Sequence, residues 1–227
     1  MTTVGVTTAN DSDVAALVDR ARREIAAQDG GNRFVDLLEA GAVPPARLRV
    51  LAAELHGLVA SDRRSQALLA SRFPVAPAGD LFLALAQGEA EALALLDDFA
   101  TAVGIGAADL AAHEPLPLAQ AYPAYLARVA VFGTSSAMAM ALLANVEESG
   151  GTYARVAAAL RSRYGLSEQA VGHFVFFSQT PPELLEQAAA VVAAGLAAGE
   201  SAQEAVRAAR VVAALETAFW DALAEGC

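Results

Sequence analysis

Apolar residues recur at helical spacing along nearly the whole chain, and no stretch sustains the period-two alternation of a strand. Ala, Leu, Glu, Arg and Gln, all strong helix formers, dominate almost every segment. The pattern predicts an all-α fold. A first helix covers 12–29, with Ser12 as its N-cap and Gly30-Gly31 as its terminator. A short helix follows over 33–40, stopped by Gly41. Pro44 and Pro45 open a long helix over 44–73, which Pro74 and Pro77 close. The next helix spans 80–103, with Gly104 and Gly106 beyond it. After Pro115 and Pro117 comes a central helix over 122–148, in which Gly133 permits a bend or a close neighbour. Gly150-Gly151 read as a break, followed by segments over 153–164, 167–179, 181–198 and 201–225. Residues 1–10 are expected to be disordered. Residues 11–227 contain no Gly/Ser-rich or Pro-rich linker and are expected to form a single domain.

The stripes show which polar residues face inward. On the last helix, at about 100° per residue, Ala209, Val212, Phe219, Trp220 and Leu223 share a face with Glu216, while Arg207, Arg210 and Asp221 point away. A carboxylate there needs a purpose or a partner, because burying an unpaired charge costs several kcal/mol or drives the group to its neutral form. On the helix over 44–73, Leu48, Leu51, Leu55, Leu58, Val59 and Leu69 form a stripe that includes Asp62 and Gln66. Glu54 falls at its edge and reads as solvated. Asp62 reads either as the buried partner of an Arg or as a ligand contact. The central helix is apolar all round, so Thr134, Ser135, Ser136 and Asn145 lie inside. Thr and Ser can bond the preceding turn's carbonyls, whereas the Asn145 amide needs a side-chain, water or ligand partner. Tyr122, Tyr125 and Tyr153 offer phenols that either pack or contact a ligand. His173 opens the run His173-Phe174-Val175-Phe176-Phe177 and is either a packed histidine or a wall for an aromatic ligand.

Charge and composition exclude several classes. The net charge is −11, and the interval between Arg72 and Arg128 holds acids but no Arg. Asp80, Glu89, Glu91, Asp97, Asp98, Asp109 and Glu114 in that interval read as a solvated face. A phosphate-backbone binder needs a basic stripe, so nucleic acid and anionic membranes are not expected partners. All 15 basic residues are Arg. Without a Lys there is no Schiff base and no phosphate-loop lysine. The one Cys is the last residue, Cys227, which excludes an internal disulfide or a CxxC pair. Residues 1–10 lack a basic start and an apolar run, so a cytoplasmic protein is expected. The longest uncharged stretch, 129–146, contains Gly133, Thr134, Ser135, Ser136 and Asn145 and reads as a buried helix rather than a membrane span.

Metal binding is tested by spacing. Helical di-iron sites use Glu-x-x-His pairs. Three residues before His56, His113 and His173 stand Ala53, Leu110 and Ala170, and four residues after them stand Ala60, Pro117 and Phe177. No metal is expected. No Gly-rich turn follows a strand, so no nucleotide cofactor is expected either.

Two stretches carry a family resemblance. Phe34-Val35-Asp36-Leu37-Leu38-Glu39-Ala40-Gly41-Ala42-Val43-Pro44, followed by Leu48 and Leu51, looks like the TenA entry into its second long helix. Ala214-Leu215-Glu216-Thr217-Ala218-Phe219-Trp220-Asp221 looks like the terminal TenA pattern of Glu, two residues, then Phe-Trp-Asp. Tyr122 and Ala141-Leu142-Leu143 sit where that family has its tyrosine and the approach to its nucleophile. The chain thus resembles the TenA and PqqC-like branch of the heme-oxygenase-like helical superfamily, which implies a single-domain heme-oxygenase-like bundle. It departs from the family's pattern at Leu55 and Leu58, where the pocket Asp and the following Tyr would stand. It departs again at Asn145, in place of the catalytic Cys, and at Phe177 and Pro181, in place of metal ligands.

The resemblance implies a cofactor-independent TenA-like enzyme acting on a nitrogen-containing small organic molecule in an apolar pocket. Glu216 is its expected general acid/base, with Asp62, Gln66, Tyr122, Asn145, His173 and Trp220 around the substrate and water as the nucleophile. A non-catalytic small-molecule-binding or regulatory protein is the alternative, and a PqqC-like oxygen-dependent oxidase a further one. Ala ridges and the family's habit imply a homodimer or higher homo-oligomer.

Overall fold

A computed structural model describes residues 11–27 and 31–227; the expected disorder of 1–10 and the expected first-helix end at 29–30 lie outside the described residues. Among the described residues there are ten helices and no strand. They are α1 (Asp11–Ala26), α2 (Arg33–Glu39), α3 (Pro45–Arg72), α4 (Ala78–Ala102), α5 (Ala107–Ala112), α6 (Ala121–Phe132), α7 (Ser135–Tyr164), α8 (Gly172–Phe177), α9 (Pro182–Ala197) and α10 (Ala202–Ala224). No helix among the described residues is long and apolar enough to cross a membrane.

Side chains start several helices by taking up free amides. Asn32 accepts from Val35 N at 3.1 Å, Thr134 from Ala137 N at 3.3 Å and Ser201 from Glu204 N at 3.3 Å. Gly165, at φ 67°, closes α7 in the left-handed conformation.

The central segment differs from its sequence reading. Instead of one helix over 122–148, the chain breaks at Gly133, whose extended backbone ends α6, and Thr134 caps a new helix. That helix then runs through Gly150-Gly151 without a break. The physical reason is tertiary packing: α7 is buried against α8, α9 and α10 on both sides of the glycine pair, which outweighs the roughly 1 kcal/mol that each glycine costs a helix. The predicted helix over 167–179 shrinks to α8. Helix α5 has no buried residue, so it left no apolar stripe to read.

The long helices α3, α4, α7 and α10 are shared between two apolar clusters. One contains Leu48–Val59 of α3, Ala92–Ala100 of α4, Tyr153–Leu160 of α7 and Phe219–Ala224 of α10, with α2 and α8 packed beside them. The other contains Leu69–Ala70, Leu81–Phe82, Ala137–Ala144 and Ala205–Val212 of the same four helices, with α1, α6 and α9. Where each helix passes from one cluster to the other it carries polar side chains: Asp62, Ser65 and Gln66 on α3, Glu89 on α4, Asn145 and Ser149 on α7, and Glu216 on α10. Tyr122 packs against both clusters.

One carboxylate holds α7 against the α9–α10 turn. Glu200 accepts from the Ser135 and Ser136 amides at 3.3 and 2.8 Å, from the Ser135 hydroxyl at 3.0 Å and from the Ser136 hydroxyl. It thereby serves donors that a helix N-terminus leaves unpaired, and its charge suits that end of the helix dipole. Glu200→Ala is therefore expected to cost about 2–3 kcal/mol in denaturant unfolding. A loss below about 0.5 kcal/mol would contradict this account of the α7 start.

Candidate functional site

The layer between the two clusters encloses space. An inner cavity of about 80 Å³ is lined by Leu58, Val59, Asp62, Glu89, Tyr122, Ser149, Tyr153, Phe177, Glu216, Phe219 and Trp220. A larger cleft of about 450 Å³ lies between α7 and α10, with Ile25, Gly31 and Asn32 at its edge. Ser149, Glu216 and Trp220 line both spaces and form the wall common to them.

Glu216 is held from α7. The Ser149 hydroxyl donates to its Oε1 at 2.8 Å. Burial lifts the carboxyl to a pKa of about 7 against the Ser149 and Trp220 hydrogen bonds, which pull it down, and the Glu148 charge adds to the rise. A group that titrates near neutrality can take and return a proton, as a general acid/base must. Among the described residues no arginine forms an ion pair with Glu216, unlike Glu24, Asp36 and Glu39, each of which meets one.

Two more acids share the inner cavity. Asp62 is 5% exposed, and its Oδ1 has no hydrogen-bond partner among the described residues. Burial raises its pKa well above the usual range, and the charge of Glu89 adds to the rise. Glu89 is half-buried overall, yet its Oε2 is shielded from solvent and likewise without a hydrogen-bond partner. Burial alone lifts it to about 8. Burial, with the nearby carboxylates second, also pushes the Tyr122 and Tyr153 phenols well above their ordinary value. Both remain hydroxyl donors at any physiological pH. Three acids and two phenols thus stand among apolar and aromatic walls in this cavity.

The residues singled out from sequence divide accordingly. Glu216, Asp62, Tyr122 and Trp220 come together around the inner cavity. Asn145 lines only the outer cleft, and its Nδ2 is committed to the Ala141 and Ala209 carbonyls at 2.8 and 3.1 Å. The side chain that reaches Glu216 stands one helical turn later, at Ser149. Gln66 and His173 are buried but line neither space. The His173 Nδ1 bonds the Ala92 carbonyl at 3.0 Å, its ring packs on Tyr153 and Phe177, and burial holds its pKa down near 4.

Sequence reasoning missed Glu89 and Ser149 and misplaced Glu54. Glu89 shares the α4 stripe with Leu85, Ala92, Leu96 and Phe99, so the angular test that picks out Glu216 would have found it. Ser149 stands beside Gly150-Gly151, which read as a helix break. Glu54 is 1% exposed, not solvated: it accepts from His113 Nε2 at 2.8 Å, Leu116 N at 2.6 Å and Gln120 Nε2 at 3.0 Å. It ties the loop before α6, and hence the entry to Tyr122, onto α3. Among the described residues no group of three or more His, Cys, Asp or Glu is arranged to hold a metal ion.

The comparisons agree with this architecture. The family model described as TENA/THI-4/PQQC family matches residues 24–226. A domain of unknown function with a heme oxygenase-like fold from Shewanella denitrificans superposes at TM-score 0.70 and 17% identity, covering 96% of this chain and 93% of that one. A TenA homolog from Pseudomonas syringae does so at 0.69 and 12%, covering 99% of each. A TenA homologue from P. horikoshii reaches 0.65 and 16%, covering 95% of this chain and 98% of the other. The fold is therefore heme-oxygenase-like. No curated protein matches the sequence.

The raised acids give a pH signature. A folded-state carboxyl that titrates near 8 keeps a proton that the unfolded chain releases near 4.5, so stability falls as pH rises between those values and levels off above them. Glu89→Gln removes that penalty. The variant is expected to unfold several degrees higher than the parent at pH 8.5 and at the same temperature at pH 5. An equal effect at both pH values would show that Glu89 titrates normally.

Proposed function

We propose that this chain, which belongs to the TENA/THI-4/PQQC family, is a cofactor-independent TenA-like enzyme that hydrolyses a nitrogen-containing small organic molecule, with Glu216 as its general acid/base. Family membership supports a TenA-like activity on a small molecule. The observation that carries the finer reading is the Glu216 carboxyl, titrating near 7, fixed by Ser149 in the wall common to both spaces.

In this reading the substrate reaches from one space into the other alongside these shared side chains. Ser149 fixes Oε1 and so sets the plane of the carboxyl. The ionised carboxylate takes a proton from a water as the water's oxygen attacks the carbon bearing the leaving nitrogen. The carboxylic acid so formed returns the proton to that nitrogen as the carbon–nitrogen bond breaks. Atoms and charge balance with water alone, so the scheme calls on no cofactor. Tyr122 and Tyr153, kept protonated, supply hydroxyl donors for substrate acceptors. An acid of raised pKa suits this double duty, because it is poised near the pH at which it works.

The test is a panel of nitrogen-containing compounds, together with any that co-purify, incubated with the protein under air and under nitrogen and followed by mass spectrometry. The expected result is a water-addition product formed equally in both atmospheres. Glu216→Gln is expected to lower its rate by about 10²–10⁴-fold. Ser149→Ala, which loosens the carboxyl without removing it, is expected to cost roughly tenfold. Turnover that survives Glu216→Gln, or that requires oxygen, would overturn the assignment.

A further inference from the structure

The inner cavity carries two acids that the scheme above does not use. Asp62 on α3 and Glu89 on α4 both line it, and each has a solvent-shielded carboxyl oxygen with no hydrogen-bond partner among the described residues. Asp62 is at least nine-tenths buried. No Arg lines the cavity, and the chain has no Lys. Unpaired buried acceptors are costly, and a fold retains them where something supplies the missing donors.

The walls narrow what that donor can be. Tyr122, Tyr153, Phe177 and Trp220 line the cavity together with the two acids, and Tyr153 meets Phe177 and Trp220 at centroid distances of 5.2 and 5.9 Å. Aromatic walls with carboxyls between them suit a cation, and a planar one can face a ring while its edge N–H groups reach carboxyl oxygens. Size sets the next limit. An engineered apolar cavity of about 150 Å³ takes benzene, so about 80 Å³ takes a group of about three or four heavy atoms. The larger outer cleft is left for the rest of the molecule.

We infer that the inner cavity is a subsite for a planar, N–H-rich cationic head of the amidinium or guanidinium class, seated between Asp62 and Glu89. This inference rests on the inner cavity being part of the substrate site proposed above. Asp62 and Glu89 act as binding residues for the head and take no part in proton transfer to the bond that breaks. The head anchors the substrate at its inner end, and the scissile bond lies at the Ser149–Glu216 wall. A neutral head of the same shape lacks the charge, and in part the donors, that the two acids require.

Acetamidinium and acetamide test this directly, because both have four heavy atoms, both are planar and both carry a methyl reporter for NMR. The full chain is titrated with each at fixed ionic strength set by sodium chloride, following saturation transfer to the methyl group. Acetamidinium is expected to bind saturably and at least tenfold more tightly than acetamide. Asp62→Asn and Glu89→Gln are each expected to weaken it at least tenfold, while Asp221→Asn, an exposed acid on α10, leaves it unchanged. Circular dichroism checks each fold. If Asp62→Asn fails to fold, Glu89→Gln and the comparison of the two probes on the parent chain decide.

Equal binding of the two probes, no saturable binding, or folded variants that bind like the parent would overturn the inference. Such a failure is distinguishable from failure of the catalytic reading. Absent acetamidinium binding alongside turnover that needs Glu216 sinks only the cationic head. Tight acetamidinium binding alongside turnover indifferent to Glu216 sinks only the hydrolase.

Discussion

The cost of desolvating carboxyls at mid-height of the bundle is the constraint on which the rest of this structure depends. Asp62, Glu89 and Glu216 meet at one level, and water is too scarce there to stabilise three negative charges. With no arginine among them, relief comes from protonation and from hydrogen bonds such as that of Ser149 to Glu216. A solid apolar layer of equal volume would be more stable. The stability given up at this level is tolerable because the clusters above and below it are extensive.

Those clusters explain how the acids are brought together. Four long helices each contribute an apolar run, a polar interruption and a second apolar run; α3 packs on α4 and α7 on α10, and the two clusters that all four share set the interruptions at one height. Buttresses outside the layer hold the helices in register. Arg72 at the end of α3 donates to the Ala130 and Gly133 carbonyls at 2.6 and 3.0 Å, pinning the end of α6. Arg47 at the start of α3 donates to the Ala222 and Leu223 carbonyls at 3.0 and 2.7 Å, closing the end of α10. Glu54 fastens the loop that leads to Tyr122. Ionic groups at the ends of the helices therefore serve position, whereas Asp62 and Glu89 at the centre each keep a carboxyl oxygen without a hydrogen-bond partner among the described residues.

Much of this was legible in the residues. Helical periodicity identifies the all-α class, and the interruptions at Asp62 and Glu216 are visible as polar positions on apolar faces. Glu89 obeys the same rule but sits in an acidic stretch that reads as a solvated surface; local composition masked its angular position. Ser149 was hidden by Gly150-Gly151, whose helix-breaking tendency is overridden by the packing of α7 on either side of them. Glu54 could not be separated from a surface acid by periodicity, because its partners His113, Leu116 and Gln120 lie about 60 residues away in a loop without an apolar pattern. Asn145 shows the converse limit: burial is readable from an apolar helix, but whether the amide serves the backbone or a ligand depends on the neighbouring helix, here the Ala209 carbonyl.

The most direct test of a proton-holding acidic layer is a site-resolved titration of the carboxyl carbons in protein labelled with ¹³C at the glutamate and aspartate side chains. Assignment follows from Glu216→Gln, Glu89→Gln and Asp62→Asn. The account predicts that Glu216 titrates near 7 and Glu89 near 8, with Asp62 far above its ordinary range. Three carboxyls that all ionise at about 4, as solvated acids do, would contradict it.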